Sequence, residues 1–171
     1  MNLVPRLHFI VVTGIIVRPR NGGGHEFLIA KRAAHEKAFP NKWTVPGGKL
    51  VRSEYENLPK RPHSEGQKES SAPQWYNIVE WVLEKEVREE VGVEIEKPQY
   101  LTDLVFIRPD GYPVITLSYW AMYKSGEAKP GKDLTEVAWV TAGEAKNYDL
   151  IEGILEELKE VHDLLTRGQT T

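Results

Sequence analysis

Three carboxylates crowd the segment Lys85-Glu86-Val87-Arg88-Glu89-Glu90-Val91-Gly92-Val93. Oxygen donors with no cysteine or histidine beside them suit a hard divalent cation, magnesium or manganese. The segment reads as the end of a helix that begins near Pro73. Ser71 is placed to cap it, Pro73 suits the first turn, and Gly92 suits the left-handed position just past the end. Wound at 3.6 residues per turn, Trp75, Val79, Val82, Leu83, Glu86, Glu89 and Glu90 share one broad arc. Like charges at Glu86 and Glu90, one turn apart near a helix C-terminus, destabilise the helix. A bound cation would offset that cost. Most charged helices are simply solvated on their polar face. Here Glu84 and Arg88 fit that description and are expected to pair with each other. The other three carboxylates differ because they share a side with the apolar stripe.

The elements that must position this helix can be read along the chain. Leu7 to Val17 is rich in Ile and Val and predicts a strand. Asn21-Gly-Gly-Gly24 turns it, and Glu26 to Arg32 returns. Lys31-Arg32 at that strand's end is equally compatible with solvent and with phosphate contact. Trp43-Thr44-Val45 is a short extended piece, and Trp43 is expected in the core. In Pro46-Gly47-Gly48-Lys49 the glycines permit positive φ or close approach of backbone to a ligand, although such a sequence is commonly just a turn. The stretch at about 51–72 is polar, poor in apolar residues and long for a loop inside a compact domain.

Beyond the helix, Tyr100–Ile107 and Val114–Tyr123 predict a hairpin turned at Pro109-Asp110-Gly111. Glu136 to Val140 predicts another strand. Thr141 with Glu144 forms a capping box. Asp149 is expected to cap a final helix whose Ile151, Ile154, Leu155, Leu158, Val161 and Leu165 share a face, as core or else as a subunit contact. His8, His25, His35, His63 and His162 show no metal-ligand spacing.

The whole chain sets outer bounds. Its 171 residues predict one domain over 1–171, with a loop inserted at about 51–72. A net charge of −3 argues against polymeric nucleic acid as a partner. No cysteine is present, which excludes disulfides, thiolate metal sites and cysteine nucleophiles and fits a reducing, cytoplasmic setting. The apolar run Leu7–Val17 is too short for a bilayer and lacks the flanks of a signal peptide.

The glycines and the acidic helix together resemble the Nudix hydrolase signature: G, five residues, E, seven residues, then R-E-U-x-E-E-x-G-U, with U a bulky aliphatic. Gly48 opens the pattern and Glu54 follows at the required spacing. Lys85 to Val93 supplies the second half. Leu28 to Arg32 and Trp43 to Lys49 resemble the usual lead-in. Glu136 to Val140 resembles the strand before the family's C-terminal helix. The similarity runs from about residue 8 to residue 160. Two departures stand out. Lys85 replaces the family arginine, keeping the charge but losing the planar fork. The seven-residue gap holds the thirty residues Tyr55 to Glu84, so about twenty-three are inserted. Either Glu54 keeps the family glutamate's role, which is the preferred placement, or Asn77 takes that position.

The resemblance implies an α+β fold: an α/β/α sandwich with a central mixed sheet, a catalytic helix and a C-terminal helix. It also implies magnesium-dependent attack of water on phosphorus in a nucleoside diphosphate linked to another group. Glu86, Glu89 and Glu90 would hold Mg2+ or Mn2+ together with the Gly48 carbonyl. Glu89 is taken as the base, with Glu136 second. Arg32 and Lys49 would neutralise phosphate charge, and Glu54 would lie at the substrate. The substrate is expected to be a nucleoside triphosphate or a related small nucleotide. ADP-ribose or a nucleotide sugar is the alternative, and a binding or regulatory module without turnover is the competitor from another class. Pro109, seventeen residues past Gly92, is where ADP-ribose-cleaving members tend to carry a proline, but the hairpin turn accounts for it without a ligand. A membrane partner is not expected, and a homodimer is compatible with the chain.

Overall fold

The structure, a computed structural model, describes residues 7–60, 73–108 and 110–168. β1 (Phe9–Pro19) and β2 (His25–Arg32) form the first hairpin. Gly22, Gly23 and Gly24 take positive φ in its turn, where Arg20 and Gly24 are hydrogen-bonded. Beyond Ile16 and Leu28 the two strands splay. The short strands β3 (Trp43–Thr44) and β4 (Gly47–Lys49) fill the gap, β3 on β2 and β4 on β1. α1 is the single turn Arg52–Tyr55, and α2 is Ile78–Val91. β5 (Val93–Ile95), β6 (Gln99–Ile107) and β7 (Pro113–Gly126) follow, then β8 (Leu134–Val140), α3 (Ala142–Ala145) and α4 (Ile154–Arg167). β1 runs parallel to β7 and the other pairings between these strands are antiparallel, so the eight strands form one mixed sheet; Trp43 of β3 also makes an isolated parallel bridge to Leu150.

Strand alternation sends successive β1 side chains to opposite faces. Val12 and Ile16 pack with Val82, Leu83, Val87 and Val91 of α2. Ile15 and Val17 pack with Ile154, Leu158 and Val161 of α4. The result is the expected α/β/α sandwich, and the apolar face of α4 is core. Each of these fully buried side chains contributes roughly 1.5–3 kcal/mol. Gly14 lets α2 approach closely, since a β-carbon there would stand 2.8 Å from Leu83 Cδ1. No helix among the described residues is long and apolar enough to cross a membrane.

Several expectations need correction. α2 starts at Ile78, not near Pro73, behind Asn77 in the left-handed region at φ 59°. Trp75 is therefore off the helix. Its indole N–H donates to the Leu58 carbonyl at 3.1 Å and its ring meets Tyr55 edge-on. Ser71 and Pro109 lie outside the described residues. Arg88 pairs with Glu94 at 2.7 Å, not with Glu84, because β5 folds back beside the helix end. Asp149 does not cap α4; its carboxylate binds Lys42, and Gly153 precedes the helix at φ 93°. The Gly47-Gly48 turn is a strand. The capping box at Thr141 and Glu144 is present as expected.

Candidate functional site

The splaying of β1 and β2 positions the site. The wedge between them brings the backbone of β4 against the C-terminal half of α2. Gly47 N–H donates to Glu90 Oε2 at 2.9 Å. A β-carbon at Gly48 would stand 2.3 Å from the Glu86 carboxyl carbon, so only glycine leaves room for that side chain. Glu86 is largely buried, while the Glu89 side chain is 61% exposed and leans out of the apolar arc.

Lys85 gathers the remaining carboxylates. Its Nζ lies 3.0 Å from Glu54, 2.9 Å from Glu86 and 3.7 Å from Glu89. Burial opposes the ammonium's charge, but hydrogen bonds to Glu86 and Glu54 outweigh it and raise the pKa. Glu54, on α1, thus reaches the carboxylates of α2 despite the thirty residues between it and Lys85. Asn77 sits at the helix start instead, with its carbonyl taking the Trp81 N–H.

Glu90 is the most perturbed carboxylate of the group. Desolvation pushes it up to about 7, aided by Glu86 and Asp133 and opposed by the Gly47 N–H and Arg32. Removing solvent from an anion beside other anions disfavours its charged form. The end of α2 is sealed from the other side by the loop before β8. Gly131 N–H donates to the Glu90 carbonyl at 2.7 Å and Lys129 N–H to the Val91 carbonyl at 3.0 Å. A β-carbon at Gly131 would meet the Glu89 carbonyl at 2.5 Å. Nothing in the polar composition of that loop signalled this fit.

The expected phosphate ligands are placed differently from one another. Arg32 is held by the Ala38 carbonyl and the Glu36 carboxylate, so its fork is engaged within its own loop, although its charge still reaches Glu90. Lys49 is exposed at the end of β4. Glu136 is tied to Lys31 at 2.8 Å. His35, Glu36 and Asp133 also converge, with ligand atoms within 4.8 Å of one another. This cluster joins residues about a hundred positions apart and was invisible to spacing. Arg32 already neutralises its Glu36.

The donor set fits a hard divalent cation. Glu86, Glu89 and Glu90 offer only oxygens, and the missing β-carbon of Gly48 admits Glu86 against the backbone.

This arrangement is the fold of the Nudix hydrolases. The Nudix domain of Shewanella oneidensis NrtR complexed with ADP ribose superposes with a TM-score of 0.67 at 14% identity, over 93% of this chain and 89% of that one. The MutT protein of Methanosarcina mazei Go1 gives 0.63 at 19% identity, over 96% of each chain. A C. elegans Ap4A hydrolase gives 0.63 at 16% identity, over 93% and 98%. No family model and no curated protein matches the sequence.

Proposed function

We propose that the chain is a magnesium-dependent Nudix-type pyrophosphohydrolase, a single domain acting on a nucleoside triphosphate or a related small nucleotide in the cytosol. The observation that carries this reading is the approach of Glu86 and Glu90 to the Gly47-Gly48 backbone, with Lys85 linking Glu86, Glu54 and the more exposed Glu89. Glu86 and Glu90, with the Gly48 carbonyl, would hold the cation. Bound there, it would lower the pKa of water and neutralise diphosphate charge. Glu89, the most exposed of the three, is free to accept the proton of the attacking water. Lys85 orients Glu86 and Glu54. Lys49 faces solvent where an anionic substrate would arrive, and Arg32 contributes charge from the end of β2. Water attack at phosphorus breaks one anhydride bond and leaves two phosphorylated products.

The ADP ribose complexed with the Shewanella Nudix domain favours ADP-ribose as the second substrate reading. The deciding experiment is chromatographic product analysis on a nucleotide panel, with and without magnesium, reading nucleoside monophosphate and pyrophosphate from triphosphates and AMP with ribose 5-phosphate from ADP-ribose. Turnover that needs magnesium and is lost in Glu89→Gln or Glu90→Gln supports the proposal. Tight nucleotide binding without turnover would replace it with a binding module.

A further inference from the structure

The turn between β1 and β2 holds the chain's one Asn-Gly step, Asn21-Gly22. Every other asparagine is followed by Leu, Lys, Ile or Tyr. A side chain on the following residue crowds its backbone nitrogen, and glycine has none. Asn21 to Gly24 are all exposed. The turn's backbone bonds belong to the neighbours of Gly22: Arg20 N–H donates to the Gly24 carbonyl, and Gly23 N–H to the Arg20 carbonyl. Among the described residues the Gly22 N–H donates to no group, and the Asn21 carboxamide has no hydrogen-bond partner. Nothing lies within 4 Å of where a Gly22 β-carbon would stand. An amide carbon and the next backbone nitrogen are thus both unrestrained and open to water.

Asp110-Gly111, in the turn between β6 and β7, is the contrast. There Gly111 N–H donates to the Arg108 carbonyl at 2.8 Å, and Arg108 Nη2 binds the Asp110 carboxylate at 2.6 Å. The nucleophile is engaged, and the electrophile is an ion-paired carboxylate.

We propose that Asn21 is a site of spontaneous deamidation, in which the Gly22 nitrogen closes a ring on the Asn21 side chain. The nitrogen gives its proton to solvent hydroxide and bonds Asn21 Cγ. The Cγ–Nδ2 bond breaks, and Nδ2 leaves as ammonia with a proton from water. Water then opens the cyclic imide on either side. Breaking the new bond to Cγ leaves aspartate. Breaking the bond to the Asn21 backbone carbonyl leaves isoaspartate, with the chain running through the side-chain carbon. Water enters and ammonia leaves, with no change of oxidation state. Arg20, next in the chain, favours the anion that forms on the Gly22 nitrogen. Asn21 lines one cleft with Arg18, Arg20 and Glu26, so either product sets a new carboxylate in competition with Glu26 for those guanidiniums.

The test is incubation of the folded chain at mildly alkaline pH, then peptic digestion in acid and mass spectrometry. Peptides holding residue 21 should show the amide-to-acid mass gain at least tenfold faster than peptides holding any other asparagine. They should split into aspartate and isoaspartate forms. Asn21→Gln and Gly22→Ala should each slow the conversion at least tenfold. Asn21 should convert about as fast in the folded chain as in urea, whereas Asp110 should isomerise only in urea. A folded chain that keeps Asn21 intact while the urea-unfolded chain converts overturns the proposal, because the turn then protects the step. Aspartate formed without isoaspartate overturns it as well, since that product marks direct hydrolysis with no ring.

Discussion

Gly48 and Glu86 are packed so closely that a β-carbon on the one would stand 2.3 Å from the carboxyl carbon of the other. The adjacent Gly47 is restrained differently: a β-carbon there would meet the Val12 carbonyl oxygen at 2.2 Å. The two glycines should therefore fail in different ways. In Gly48→Ala the Glu86 side chain can swing aside, so folding stability should change by less than ~1 kcal/mol. Metal-induced stabilisation and turnover should be lost. In Gly47→Ala the obstacle is β1 backbone, and the fold itself should lose about 1–3 kcal/mol. Denaturant melts with and without magnesium separate the two. Equal destabilisation of both variants would contradict the assignment of Gly48 to the site.

The Glu90 carboxyl, at about 7 when folded, titrates near 4.5 when unfolded. Below pH 4.5 it is protonated in both states and exerts no effect. Between pH 4.5 and 7 the unfolded chain releases the proton while the folded chain keeps it. Metal-free stability should therefore fall as pH rises through that window, by about 3 kcal/mol, and level off above it. Glu90→Gln should remove this slope and make the metal-free protein at pH 8 more stable than the parent. Magnesium at ~100 times its dissociation constant should restore roughly 2.7 kcal/mol at pH 8. The gain should shrink at pH 5, where the proton competes for Glu90. Parallel pH profiles for parent and variant would show that Glu90 is not the responsible group.

The features legible in the sequence were those fixed by nearby residues. The Ile and Val alternation of β1, the β6–β7 hairpin and the Thr141–Glu144 box all depend on short-range pattern. The carboxylates of α2 were legible because a helix places them by period alone. Features fixed across the fold were not. Gly47-Gly48 reads as a turn locally, and it becomes a strand because β1 and β2 splay and leave unpaired backbone on β1. Trp75 suits a helix by type, but its indole is drawn to Leu58 on the other side of the insertion. Asp149 has the chemistry of a cap, yet Lys42 binds it first. Gly131 and the His35–Asp133 contact depend on loops that meet only after the sheet forms.

Lys85 bonds both Glu54 and Glu86 from a side chain only 17% exposed. Lys85→Met would leave those carboxylates facing each other without a counter-charge. It should cost about 1–3 kcal/mol of stability and sharply lower turnover. Lys85→Arg restores a planar fork able to reach two carboxylates at once. It should match or exceed the parent in both respects. Thermal melts and steady-state turnover on the best nucleotide suffice as measurements. A methionine variant with parental turnover would show that Lys85 has no part in ordering the site.

The ends of the insertion are clasped. Trp75 donates to the Leu58 carbonyl at 3.1 Å, meets Tyr55 edge-on with ring centroids 5.4 Å apart, and lies under the Lys60 ammonium. Tyr55 is therefore engaged by Trp75 and does not present a free ring to a base. Arg61, His63 and Lys68, the insertion's further basic residues, lie outside the described residues. Because the clasp holds both ends, residues 61–72 can be replaced by a short Gly-Ser linker while Leu58, Lys60 and Trp75 stay in place. Loop length alone changes closure free energy by only about 0.6 kcal/mol per doubling, so the fold should tolerate the exchange. Glu54 precedes the clasp and should keep its bond to Lys85, so the chemical step and its magnesium dependence should survive. The insertion is expected to select substrates, so the replacement should lower turnover unequally across a nucleotide panel, through KM more than kcat. Trp75→Ala, which opens the clasp, should move the same substrates in the same order. Equal activity on every nucleotide after replacement would show that the insertion is a tolerated surface excursion with no role in selection.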